Sequence, residues 1–119
     1  DNKLKELPTR FGELENLEYV DLHNNDLRLL PRTIPDLKKI VKFRVNGNQL
    51  VRLPDLLGTL PVLEVLDVTA NRLAALPFSL GYCKSLRELH CQENPLTDPP
   101  IEELRKDLTH SSGTCDNVI

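Results

Sequence analysis

The chain has 119 residues, of which 39% are hydrophobic, and a formal net charge of −3. This length and apolar content suit one domain with a hydrophobic core. Its 15 basic and 18 acidic residues are interspersed, so no basic patch predicts nucleic-acid binding. The sequence has no apolar run long enough to cross a membrane, and its first residues do not resemble a signal peptide.

An internal repeat organises most of the sequence, because asparagine recurs at a constant interval. The recurring residues Asn2, Asn25, Asn48, Asn71 and Asn94 are each 23 positions apart. Apolar residues keep the same register, and a Leu-Pro pair follows each of the first four asparagines. These pairs are Leu7-Pro8, Leu30-Pro31, Leu53-Pro54 and Leu76-Pro77, and Pro99-Pro100 closes the series.

Each repeat contains the pattern of a short, half-buried strand. In the segment 63–68, the apolar Leu66 and Val68 alternate with neighbours that are expected to face solvent. Each repeat returns the chain to the same edge, so successive strands should run parallel. We therefore predict an α/β solenoid: an arc with a parallel β-sheet on its concave side and irregular or 3-10 segments on its convex side.

The asparagine that follows each strand is predicted to turn inward. Its amide can donate to and accept from backbone groups of the loop that the sheet leaves without partners. Successive repeats would align these amides into a structural ladder. Its predicted members are Asn25, Asn48, Asn71 and Asn94.

Three segments are expected along the chain. Residues 1–98 are the repeats, of which the first is truncated, so we expect further repeats upstream. Residues 99–108 should form a short C-terminal capping helix, because Ile101, Leu104 and Leu108 have helical spacing and Asp98 can cap its first turn. Residues 109–119 are polar and without periodicity, which predicts a flexible tail or linker.

The unit Leu-x-x-Leu-x-Leu-x-x-Asn-x-Leu-x-x-Leu-Pro resembles the leucine-rich repeat family over roughly residues 1–100. The 23-residue length and the Leu-Pro pair are similar to the intracellular subclass of the Ras-suppressor-type proteins and of the Scribble and Erbin scaffolds. The resemblance implies a protein-binding module, a scaffold or adaptor in signalling, that uses its concave sheet.

The concave face is the predicted binding surface, because it combines charges with Tyr19 and Val65, which we expect to be exposed there. The alternating charges of Asp21, Arg44 and Asp67 could instead simply neutralise one another. The first column of predicted binding residues is Tyr19, Lys42, Val65 and Glu88. The second is Asp21, Arg44, Asp67 and His90, and the third is His23, Asn46, Thr69 and Gln92.

No catalytic residue, metal site or cofactor is predicted, and the chain is not expected to be an enzyme. None of His23, His90 and His110 has a zinc-site spacing to another ligand. Cys83 and Cys91 occupy core columns and are expected to be reduced and poorly reactive, while Cys115 stands alone in the tail. The four-cysteine caps of extracellular family members are missing, which favours the cytoplasm.

Three functions stay open at this point. The first is a module that binds another protein, with no nucleic acid, membrane insertion or small-molecule substrate. The alternative is a substrate-recognition or regulatory part of a larger enzyme, such as a ubiquitin ligase, kinase or GTPase, whose catalytic domain lies elsewhere. The third is a structural spacer or self-assembling segment, which would associate through its open N-terminal end.

Overall fold

The computed structural model describes residues 3–96. Four short strands form one parallel sheet in the order β1-β2-β3-β4. Each strand pairs with the equivalent residues of the next repeat, so that Tyr19 lies beside Lys42 and Lys42 beside Val65. The strands are β1 (Tyr19–Asp21), β2 (Lys42–Arg44), β3 (Val65–Asp67) and β4 (Glu88–His90). The predicted parallel sheet is confirmed.

The return half of each repeat contains a 3-10 helix, as predicted for the convex side. The proline of each Leu-Pro pair lies just before the helix, and its carbonyl accepts the first helical hydrogen bond, as from Ile34 to Pro31 at 3.1 Å. Proline has no N–H to give to a sheet but keeps its acceptor. The helices are η1 (Thr9–Glu13), η2 (Ile34–Asp36), η3 (Leu57–Thr59) and η4 (Phe78–Tyr82).

The core lies between the sheet and the 3-10 helices and is layered from aliphatic side chains. The central residue of every strand enters it, and these residues are Val20, Phe43, Leu66 and Leu89. Each repeat buries its apolar face against its neighbours, which is why no single repeat could fold alone. Truncating a fully buried leucine such as Leu66 to alanine should therefore cost about 2–5 kcal/mol.

A left-handed residue precedes every ladder asparagine and turns the chain after the strand. These residues are Asn24, Gly47, Ala70 and Glu93, with φ of 56°, 69°, 58° and 59°. Glycine and, to a lesser degree, asparagine tolerate this conformation, whereas a Cβ makes it unfavourable for most other residues. A side chain at Gly47 would also collide with the Asn24 side chain. This turn was not predicted from the sequence.

A second inter-repeat contact lies on the convex side, between η3 and η4. Ser79 Oγ accepts a hydrogen bond from the Gly58 backbone N–H at 2.9 Å and donates one to the Asp55 carbonyl at 2.6 Å. A Cβ at Gly58 would collide with the Ser79 backbone. Glycine at position 58 therefore lets the two repeats approach closely.

The predicted capping helix at 99–108 and the predicted tail at 109–119 lie outside the described residues. Within 3–96, no helix has the length and apolar character needed to cross a membrane.

Candidate functional site

The concave face consists of the strand residues that alternate with the buried ones. The middle residue of each strand is buried, and the residues on either side of it point away from the core onto the opposite face. The 23-residue register places equivalent residues side by side on neighbouring strands. The first two predicted columns therefore lie on adjacent strands of one face.

Tyr19 and Lys42 form the most exposed apolar and cationic part of the first column. The Tyr19 side chain is 66% exposed, and Lys42 Nζ lies 5.8 Å from the centre of its ring. This distance permits a cation–π attraction, worth about 0.5–1 kcal/mol at an exposed site. An exposed aromatic ring on a paired strand is well suited to act as an interface anchor.

The prediction that Val65 is exposed beside the charges was wrong. Only 5% of Val65 is exposed. Its short side chain stands between the longer side chains of Lys42 and Glu88, which occupy the same position on the two flanking strands. Val65 thus belongs to the concave side of the sheet but offers little surface to a partner.

The second column brings opposite charges together. Arg44 Nη1 lies 3.8 Å from Asp67 Oδ2. Asp21 accepts hydrogen bonds from the side chain and the backbone N–H of His23, at 2.5 Å and 3.2 Å. The side-chain hydrogen bond from His23 is the main reason that the pKa of Asp21 is lowered, with a smaller contribution from the charge of Arg44.

At the other end of the sheet, His90 repeats the arrangement of His23. His90 Nε2 lies 3.2 Å from Glu88 Oε1 on the same strand. Apart from His23, the residues of the third column are uncharged and polar. Thr69 Oγ1 donates a hydrogen bond to Gln92 Oε1 at 3.4 Å, and Asn46 is half-buried. The face therefore combines charged groups, most of which lie beside an opposite charge or a hydrogen-bond partner, with polar groups and one exposed ring.

The ladder asparagines form hydrogen bonds with backbone groups of their own and neighbouring turns. The Oδ1 atom of Asn71 accepts the Leu50 backbone N–H at 3.0 Å. Its Nδ2 group donates to the Val68 carbonyl of its own turn and to the Val45 carbonyl of the preceding one, at 2.9 Å and 3.1 Å. Asn48 and Asn94 make the equivalent contacts, and Asn25 accepts from Leu4 and donates to its own turn.

The convex side carries two features that the sequence analysis did not single out. Phe78 and Tyr82 are both exposed, with ring centres 5.4 Å apart and planes at 81°. The signal was present in the sequence, because the equivalent residues of the three preceding repeats are not aromatic. A groove between the second and third Leu-Pro turns is lined by Leu29, Leu56, Arg32, Arg52, Asp36 and Asp55, among others.

The cysteines differ from one another. Cys83 is a buried free thiol in a core column. Cys91 is fully buried but disulfide-bonded, so the prediction of a reduced thiol there was wrong. A position in an apolar core column predicts burial, and it could not distinguish a thiol from a disulfide. Cys115 lies outside the described residues.

Among residues 3–96, no three or more histidine, cysteine or acidic side chains come together as a metal site. His23 and His90 each face a single carboxylate, and two ligands do not make a closed zinc site.

The sheet, the 3-10 returns and the asparagine ladder together define a repeat solenoid of parallel turns. The model of the leucine-rich repeat region matches residues 1–118, and the chain belongs to the leucine-rich repeat family. A solved leucine-rich repeat protein of Leptospira interrogans is similar over 93% of this chain, at 30% identity and a TM-score of 0.85. The similarity covers 28% of that protein. No curated protein sequence matches the chain significantly.

Proposed function

We propose that this chain is a protein–protein interaction module, a scaffold or adaptor, that binds a partner protein through its concave sheet. The observation that carries the proposal is the exposed Tyr19 ring on a face whose side chains are set in register by four paired strands. Leucine-rich repeat folds are generally non-catalytic modules of protein interaction, which supports the same class of function.

Preorganisation is the physical reason for choosing this face. Neighbouring strands are about 4.8 Å apart, and their side chains project from a sheet whose core is fully packed. This chain therefore loses little conformational entropy when a partner binds here, and binding energy can concentrate in a few anchor residues. Tyr19 and Arg44 are of the residue types that dominate such anchors.

The rival proposal makes the chain the substrate-recognition or regulatory part of a larger enzyme. It would use the same face, and it differs only in what the polypeptide carries elsewhere. The similarity to 28% of the Leptospira interrogans protein concerns the repeats alone. Any catalytic activity of a longer protein is accordingly a separate proposal, which the flanking sequence decides.

Two observations favour different cellular compartments for this chain. The missing four-cysteine caps favour the cytoplasm, and the disulfide at Cys91 favours an oxidising environment. The redox state of Cys91 in the native protein decides between them.

The experiment is a comparison of two matched double variants in affinity capture with the full-length chain. Tyr19→Ala with Arg44→Glu alters the concave face and should weaken capture by more than about tenfold, which corresponds to about 1.4 kcal/mol. Tyr82→Ala with Arg10→Glu makes the same changes on the convex return, where both residues are exposed. Capture should survive this second pair of changes. If the convex variant lost the partner and the concave variant kept it, the binding face would be the convex side.

A further inference from the structure

The carboxylates of the concave face are already engaged by the protein itself. Asp21 accepts from His23, and Glu88 lies within hydrogen-bond distance of His90. Asp67 faces Arg44 and also accepts the Thr69 backbone N–H at 3.0 Å. These acidic groups therefore have little left to offer to a cationic partner.

Lys42 is the exception among the charges of the three concave columns. In the described part of the chain, no carboxylate lies within ion-pair distance of its ammonium group. Its neighbours in the same row are the Tyr19 ring on β1 and the buried Val65 on β3. The ring attracts the cation without neutralising it. Lys42 thus presents an uncompensated positive charge between an aromatic and an aliphatic side chain.

Arg44 adds a second, partly compensated cation on the same strand. Its contact with Asp67 is a single one at 3.8 Å, and 42% of its side chain is exposed. A guanidinium group has five N–H donors, so most of them remain available to an incoming acceptor. Asp21 and Asp67 flank Arg44 and reduce its pull on an anion, which leaves Lys42 as the stronger attraction.

The spacing of these two cations matches an extended peptide. Lys42 and Arg44 are two residues apart on one face of β2, which separates their Cα atoms by about 6.6 Å. Side chains at alternate positions of any extended segment repeat at the same distance. Two carboxylates separated by one residue could therefore meet both cations at once.

We propose that the partner engages the concave face through an extended acidic segment, with carboxylates at alternate positions on Lys42 and Arg44 and an apolar side chain against Tyr19. This inference rests on the proposed function and names the chemistry of the partner at that face. An isolated pair of cations on a chain of net charge −3 does not suit a phosphate backbone, which requires a broader basic surface.

The test uses a fluorescent peptide in which two glutamates and a leucine occupy alternate positions with serines between them, so that all three share one face of the extended chain. The comparison peptide has glutamine in place of both glutamates. The glutamate peptide should bind the full chain, more weakly as salt is raised, and the glutamine peptide should bind at least about fivefold more weakly. Lys42→Gln should produce a similar loss for the glutamate peptide. Lys84→Gln is the matched control, because Lys84 is an exposed lysine outside the three columns.

Each of four results would overturn the inference. They are equal binding of the two peptides, no effect of Lys42→Gln, no binding of the glutamate peptide, and Lys42-dependent binding of a short single-stranded DNA at least as tight as that of the peptide. Affinity capture separates this failure from that of the proposed function. If the concave double variant lost the partner and Lys42→Gln kept it, the concave face would still be the binding surface. Only the acidic segment would then be contradicted.

Discussion

Asn71 and Leu50 lie in successive turns, and the Asn71 Oδ1 atom accepts the Leu50 backbone N–H at 3.0 Å. The same amide donates to carbonyls of both turns. One buried side chain thereby supplies partners for backbone groups that neither the sheet nor water can reach. The described chain accordingly contains no buried side-chain nitrogen or oxygen without a hydrogen bond.

Replacing Asn71 by alanine should lower the free energy of unfolding by about 1–3 kcal/mol, because backbone groups in the core lose their partners. Chemical denaturation with urea measures this change. Asn46→Ala is the control, since Asn46 lies on the concave face outside the ladder, and it should stay within about 0.5 kcal/mol of the wild type. An unchanged denaturation midpoint for the Asn71 variant would show that the ladder contributes little to stability.

Ala70→Gly should raise the free energy of unfolding by about 0.5–1 kcal/mol. Ala70 has a φ of 58°, and glycine adopts this left-handed conformation without the steric cost of a Cβ. The relief should exceed the entropy that glycine adds to the unfolded chain. Ala74→Gly, four residues later and outside the left-handed positions, should instead be neutral or destabilising. Thermal melting of both variants checks the prediction, and a lower melting temperature for Ala70→Gly would contradict it.

Ser79→Ala should destabilise the protein by about 1–2 kcal/mol, because the Gly58 backbone N–H is buried and loses its acceptor. Thr59→Ala is a suitable comparison, since the Thr59 hydroxyl bonds only locally to Leu56 and is exposed. That change should cost no more than about 0.5 kcal/mol. Equal stabilities of the two variants in urea would show that the convex contact between η3 and η4 contributes little.

The two described cysteines should respond differently to a thiol reagent. Cys83 is buried and should react slowly in the native protein and rapidly once urea unfolds it. Cys91 should not react until a reductant is added, because it is disulfide-bonded. Mass spectrometry after labelling identifies the modified residue. Labelling of unfolded but unreduced Cys91 in protein taken from its natural compartment would show a free thiol there and favour the cytoplasm.

Most of the fold could be predicted because one interval governs it. Every pairing in the sheet joins residues 23 apart, as Val20 with Phe43 and Phe43 with Leu66, so counting from one asparagine to the next already supplied the register. The Leu-Pro pair likewise indicated where the 3-10 segment of each return begins. Periodicity is informative here because each turn repeats the same contacts with its neighbour.

The features that could not be predicted from the sequence depend on contacts that do not follow the 23-residue period. Val65 is buried between Lys42 and Glu88, and an outward position in the strand pattern does not reveal this. The left-handed column contains Asn24, Gly47, Ala70 and Glu93, and only the first two suggest the conformation by their residue type. The disulfide at Cys91 required knowledge of tertiary contacts.

The ladder also determines which changes in length the protein tolerates. Its hydrogen bonds between turns join residues separated by 21 or 26 positions. Duplicating or deleting one complete turn preserves these offsets, so unequal recombination can lengthen or shorten the arc without altering any other residue. A single-residue insertion inside a turn does the opposite, because it moves one amide away from the backbone of the turn before it. Evolution of this solenoid should therefore proceed by whole turns, with substitutions confined to the positions between the fixed columns.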